Sequence, residues 1–142
     1  VVRLTDEQRA DRKMLEAQLN SRVMYRARKY MLRVLRMQRA TIQGAWRTPA
    51  TKGFPDLMIV GRSIIFRELK RELGKLDPEQ ESWRGWLLNT GADWAVWRPS
   101  DIRSGRVEAE LKAVAFGLTL PAMTDYIDHH EDTTGAAQAQ QR

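Results

Sequence analysis

Residues 53–70, GFPDLMIVGRSIIFRELK, contain two short apolar runs, LMIV and SIIFREL, rich in Ile, Val and Phe and parted by a glycine-led turn. That pattern predicts a β-hairpin. If Gly61, Arg62 and Ser63 form a three-residue loop, residues whose numbers sum to 124 face each other: Val60 with Ile64, Met58 with Phe66, and Asp56 with Glu68. Side-chain direction in a strand repeats every two residues, so Lys70 shares the face of Glu68. A slip of one residue would turn Asp56 to the opposite face. One loop length therefore brings two acids and a lysine together.

Two directly opposed carboxylates repel unless positive charge lies between them. Lys70 is one source of that charge and a hard divalent cation is the other. Mg²⁺ binds one or two carboxylates together with water and substrate phosphate. An acid-x-Lys triplet is cheap in a chain that is 30% charged. Asp11-Arg12-Lys13 and Glu110-Leu111-Lys112 match it as well, but both fall on predicted helices, where residues i and i+2 do not face each other. Only Glu68-Leu69-Lys70 follows a β-run with a Pro-Asp upstream. A surface salt bridge is the competing reading of that triplet.

The flanking segments predict a mixed α/β domain. Thr5 and Gln8 form a capping-box signature that starts a helix near Asp6, with apolar spacing that carries it to about Lys29. Residues 31–39 fit a helix extension or a strand, and TIQGAWRTPATKGFPD reads as a loop. Asp77, Pro78 and Gln80 open a second capped helix that stops at Gly91. DWAVW is a strand, and a last helix covers roughly 101–116. The chain is expected to form one domain over 1–120, with a disordered tail over 121–142.

Charge narrows the class of partner. Residues 1–50 hold 12 Lys/Arg against 4 Asp/Glu, whereas residues 51–142 hold 12 against 14. No acid lies between Ala17 and Pro55, a stretch that contains Arg22, Arg26, Arg36, Arg39, Arg47 and Lys52. A one-sign segment suits a polyanion such as nucleic acid, although a solvated helix face has the same composition. There is no cysteine, which excludes disulfides and thiolate metal sites and agrees with a cytoplasmic setting. No membrane-spanning run or signal peptide is legible.

The stretch KGFPDLMIVGRSIIFRELKRELGKLDPEQESWRGWLLNTGADWAVWRPSD resembles the VRR-NUC family of PD-(D/E)xK nucleases. Its Gly-x-Pro-Asp, hairpin, Glu-x-Lys and Pro-x-Gln helix start carry the likeness, which covers about 45–101. The resemblance implies a restriction-endonuclease-like fold, a mixed sheet flanked by helices, and a metal-dependent endonuclease. Asp56, Glu68 and the Leu69 carbonyl would bind Mg²⁺, with Mn²⁺ able to substitute, and Lys70 would serve the attacking water. Gln80 would border the site, a role compatible with capping its own helix. A first-helix glutamate, Glu16 or alternatively Glu7, would join the metal. The resemblance also favours a strand over 33–38, although the family's glycine turn before that strand has no counterpart in RKYMLRVLRMQ.

Further expectations follow from these readings. Arg47 and Lys52 flank the loop into Asp56 and are candidate phosphate clamps, with Arg36, Arg39, Arg67 and Arg71 as helpers. Trp83, Trp86, Trp94 and Trp97 read as core, while Trp46 lies in a loop and could touch nucleic acid. His129 and His130 lack the spacing of a fixed metal site. The expected substrate is DNA, in particular branched DNA such as a four-way (Holliday) junction in recombination or repair. A homodimer and a phage or bacterial source belong to the same expectation. A basic, non-catalytic nucleic-acid-binding module and an RNA nuclease are the alternatives.

Overall fold

The structure, a computed structural model, describes residues 2–37, 41–42, 45–46 and 52–119. Helices α1 (Asp6–Lys13) and α2 (Glu16–Lys29) lead into strand β1 (Arg33–Arg36) and the small strands β2 (Thr41–Ile42) and β3 (Ala45–Trp46). Then come β4 (Leu57–Val60), β5 (Ile64–Leu69), α3 (Pro78–Asn89), β6 (Asp93–Trp97), α4 (Pro99–Arg103) and α5 (Arg106–Phe116). The main sheet has the order β1-β4-β5-β6, antiparallel except for the parallel β5–β6 pair that α3 connects. This is the mixed α/β architecture expected from the sequence. No helix among the described residues is long and apolar enough to cross a membrane.

The hairpin has the expected register: Val60 faces Ile64, Met58 faces Phe66, and Leu57 faces Arg67. Alternation then gives the sheet two unlike faces. Odd-numbered Leu57, Ile59, Ile65, Leu69 and Trp97 are buried against Leu19 and Val23 of α2 and Val107, Leu111 and Val114 of α5. A one-residue slip of either strand would turn its odd positions out of this core. Burying Leu57, Ile59, Ile65 and Leu69 contributes about 1.5–3 kcal/mol each, roughly 6–12 in all. That is comparable with a domain's whole stability of about 5–15 kcal/mol, so the register is fixed by the core itself.

Arg67 also lies on the core face, which corrects its assignment as a nucleic-acid contact. It is fully buried. Its Nη2 meets Glu110 Oε1 at 3.0 Å and its Nη1 meets Asp93 Oδ1 at 2.9 Å. Glu110 in turn accepts from Trp97 Nε1 and pairs with Arg106 at 3.3 Å. A buried guanidinium already committed to two carboxylates cannot reach a phosphate.

Four other expectations are corrected. The first helix is two helices, broken where Met14 and Leu15 take extended backbone. The break lets α1 dock on α4 through Asp11 and Arg103, 2.9 Å apart, while Met14 packs against the core. The segment after β1 is not all loop, because Thr41 pairs with Trp46 and Ile42 with Ala45. The last helix divides at Gly105, whose φ of +84° suits glycine and ends the preceding turn. Trp97 is buried and Trp83 and Trp94 are partly so, but Trp86 is 60% exposed and not core.

The expected strand after α2 is present without its glycine. Met31 takes the missing residue's place with φ +52°, the single non-glycine residue with positive φ among those described. A left-handed conformation costs an L-residue about 1–2 kcal/mol. Met31 is 91% exposed, so little packing offsets that cost. Met31→Gly should therefore stabilise the fold by about 0.5–1 kcal/mol once the greater freedom of glycine in the unfolded chain is subtracted. A rise of a few degrees in thermal midpoint by calorimetry is the expected result.

Candidate functional site

Asp56, Glu68 and Lys70 lie at one end of the even-numbered face of the sheet. β4 begins at Leu57, and extending its register by one pair sets Asp56 opposite Glu68. Asp56 Oδ2 accepts from the Leu69 N–H at 2.8 Å, so the carboxylate closes the ladder where β4 ends. The Asp56 carbonyl accepts from Met37 N at 2.9 Å, tying the same residue to the end of β1. Lys70 continues the β5 ladder onto β6, its N–H donating to the Trp97 carbonyl at 3.1 Å. Lys70 Nζ stands 3.7 Å from Glu68 Oε1.

Glu68 is 1% exposed and the Lys70 side chain 12%. Helix α3 provides the cover. Asp77 Oδ1 accepts from Gln80 N and Gln80 Oε1 accepts from Asp77 N, each at 2.9 Å, which completes the capping box foreseen in the sequence. With its oxygen committed to the cap, the Gln80 amide turns its Nε2 toward Glu68 and donates to Oε1. Gln80 therefore caps α3 and touches the Glu68 carboxylate at once. Beside it, Phe54, Phe66, Trp83 and Trp86 form a run of edge-to-face aromatic contacts, with Phe54 bridging Phe66 on the sheet and Trp83 on the helix.

The loop that delivers Asp56 is pressed onto the first turn of α3. Gly53 has φ +86°, and a Cβ on it would lie 2.3 Å from the Glu79 carbonyl carbon. Only glycine fits such a conformation and approach. The Lys52 carbonyl accepts from Trp83 Nε1 at 3.1 Å. Lys52 Nζ pairs with Glu79 at 3.2 Å, with more than half of its side chain exposed. The Gly-x-Pro-Asp spacing thus has a physical cause: glycine permits contact with α3, and Pro55, buried, leads into the acid.

The other candidates are placed less favourably. Glu16 is exposed on the first turn of α2, and Glu7 is exposed on α1. No group of three or more acidic or histidine side chains suited to a metal occurs among the described residues, so neither glutamate joins Asp56 and Glu68. Arg36 pairs with Leu57 and so lies on the core side of the sheet edge, whereas Arg33, paired with Val60, shares the face of the site. Arg71 is exposed directly after Lys70. Arg39, Arg47, His129, His130 and the tail lie outside the described residues, as does the Trp46 side chain.

The oxygen donors present suit a hard cation. Two carboxylates and the adjacent Leu69 carbonyl match the small protein share of a Mg²⁺ shell, which leaves positions for water and phosphate. Mn²⁺ accepts the same donors.

No protein-family model matches the chain and no curated protein matches it. A solved structure described as a "VRR_NUC domain" is similar to it, with 21% identity and a TM-score of 0.47, over 64% of this chain and 92% of that one. The chemistry open to the site follows from its own side chains.

A glutamate at position 80 would keep the cap but set a third carboxylate against Glu68. Gln80→Glu should destabilise the fold by about 1–3 kcal/mol at neutral pH. Because protonating either acid relieves the repulsion, the deficit should shrink as pH falls through the carboxylate range. Urea unfolding of both proteins across that range checks the sign.

Proposed function

We propose that the chain is a divalent-metal-dependent endonuclease that hydrolyses phosphodiester bonds in DNA. The observation that carries this reading is the joint placement of Asp56, Glu68 and Lys70 at one end of one sheet face, with Glu68 buried between Gln80 and Lys70. Asp56, Glu68 and the Leu69 carbonyl would hold Mg²⁺ or Mn²⁺. The ion would polarise a phosphate oxygen and lower the pKa of bound water. Lys70 would orient the attacking water, whose proton passes to solvent. Attack on phosphorus in line with the leaving O3′ forms one P–O bond and breaks another, and a proton goes to O3′. The products are a 5′-phosphate and a 3′-hydroxyl.

Branched DNA, in particular a four-way junction, is the substrate we favour, with two copies of the chain pairing their cuts. The acid-free basic stretch between Ala17 and Pro55 supports a polyanion. A restriction-endonuclease-like core of the VRR-NUC type, acting in a bacterial or phage-infected cell, completes the proposal. Exposed Lys52 and Arg71, which flank Asp56 and Lys70 in sequence, are the phosphate contacts it favours.

A second reading has its own support. Asp56 and Glu68 both have protein partners, so the pair could be structural in a basic module that only binds nucleic acid. Mutation separates the two. An end-labelled four-way junction, with flap and single-stranded controls, is incubated with wild type, Asp56→Asn and Lys70→Ala in Mg²⁺ and in EDTA. The enzyme reading expects metal-dependent nicks that fall at least about 100-fold in either variant while junction binding persists. Intact, retarded junction with all three proteins would establish the binding module instead.

A further inference from the structure

The residues that follow Lys70 are held by a side chain from a different part of the chain. Arg98, the residue after β6, places its Nη1 among three backbone carbonyls: Arg71 at 2.7 Å, Glu72 at 3.2 Å and Gly74 at 2.7 Å. These carbonyls belong to a turn closed by Gly74 N donating to Arg71 O at 3.0 Å. The turn folds back on the lysine, since a Cβ on Gly74 would lie 3.3 Å from Arg71 O and 3.6 Å from Lys70 Cδ. Glu72 adds a second tie, its Oε2 accepting from Ser100 N at 3.0 Å.

Arg98 is itself anchored. Its N–H donates to Asp101 Oδ2 at 2.7 Å, which caps α4, and Pro99 behind it is buried. The neighbouring Trp97 is fully buried, and its carbonyl holds the Lys70 N–H. Burial pushes the Arg98 guanidinium pKa down against the opposing charges of Glu72 and Asp101, as expected for a cation withdrawn from water to bind carbonyls. An exposed turn of four residues has no core of its own. Three acceptors focused on one planar cation define its shape in a way that a solvated turn would not share.

We propose that Arg98 is a positioning residue for Lys70: its guanidinium pins the 71–74 turn, and the pinned turn walls the lysine stem so that the amine stays beside Glu68. The inference rests on the nuclease reading for its catalytic consequence, but not for its structural content. Removing the guanidinium leaves three carbonyls that water can reach, so the fold should survive while the lysine loses its wall. A misplacement of about 1 Å in such a group costs on the order of 100-fold in rate.

The test compares wild type, Arg98→Lys and Arg98→Ala on a cleaved DNA substrate at saturating concentration. Arg98→Ala should lose about 10–100-fold in kcat with KM nearly unchanged. Millimolar, non-denaturing guanidinium should restore part of that rate, and Arg98→Lys should fall between the two. Amide hydrogen exchange at Gly74 should accelerate in Arg98→Ala while that of Ile65 and Phe66 does not. Wild-type kcat in Arg98→Ala would overturn the proposal, as would unchanged exchange at Gly74, or faster exchange throughout β5 with no guanidinium rescue. If wild type cleaves no DNA, the nuclease reading falls separately. Gly74 exchange and the acylation rate of the Lys70 amine then decide. Both should rise severalfold in Arg98→Ala, and unchanged values would refute the strap.

Discussion

The register of the β4–β5 hairpin is the constraint on which the other features depend. Its odd positions carry the apolar side chains that α2 and α5 cover, and its even positions carry Glu68 and, one pair beyond the ladder, Asp56. Core and site are thus opposite faces of the same alternation. A slip that spoiled one would spoil the other, so the apolar core fixes the spacing of the acids without contacting them. Helix α3 depends on the same register, because Gln80 can cap its own helix and reach Glu68 only while Glu68 points to that face.

The two faces also handle charge differently. On the core side, Arg67 is enclosed between Glu110 and Asp93 at 2.9–3.0 Å, and Arg106 joins Asp101 and Glu110 at 3.3–3.5 Å. Each buried guanidinium thus meets two carboxylates, although Arg67 Nε has no hydrogen-bond partner among the described residues. On the site side, Glu68 is as deeply buried as Arg67, with Gln80 Nε2 donating to it and Lys70 Nζ at 3.7 Å.

Much of this was legible because local chemistry and tertiary structure agreed. Loop length gave the hairpin, capping boxes gave the starts of α1 and α3, and DWAVW was legible as β6 with its bounds. The failures have physical causes. Nothing between Met14 and Leu15 breaks a helix by type, and the break follows from the docking of α1 on α4, which only the folded chain shows. Met31 occupies a conformation for which the sequence normally signals glycine. Arg67 could have been placed correctly, since the same register that joined Asp56 to Glu68 pairs Arg67 with core-facing Leu57. Its charge suggested a phosphate contact, but its partner Glu110 is 43 residues away and invisible to pattern. The Arg98 strap spans 24–27 residues and likewise had no local signal.

Paramagnetic broadening by Mn²⁺ tests the central claim, one cation site shared by Asp56 and Glu68, without any substrate. In an amide NMR spectrum of the wild-type chain titrated with Mn²⁺, broadening should begin at Asp56, Leu69 and Lys70 and be abolished by Asp56→Asn or Glu68→Gln. Broadening centred elsewhere, or unchanged in both variants, would contradict it.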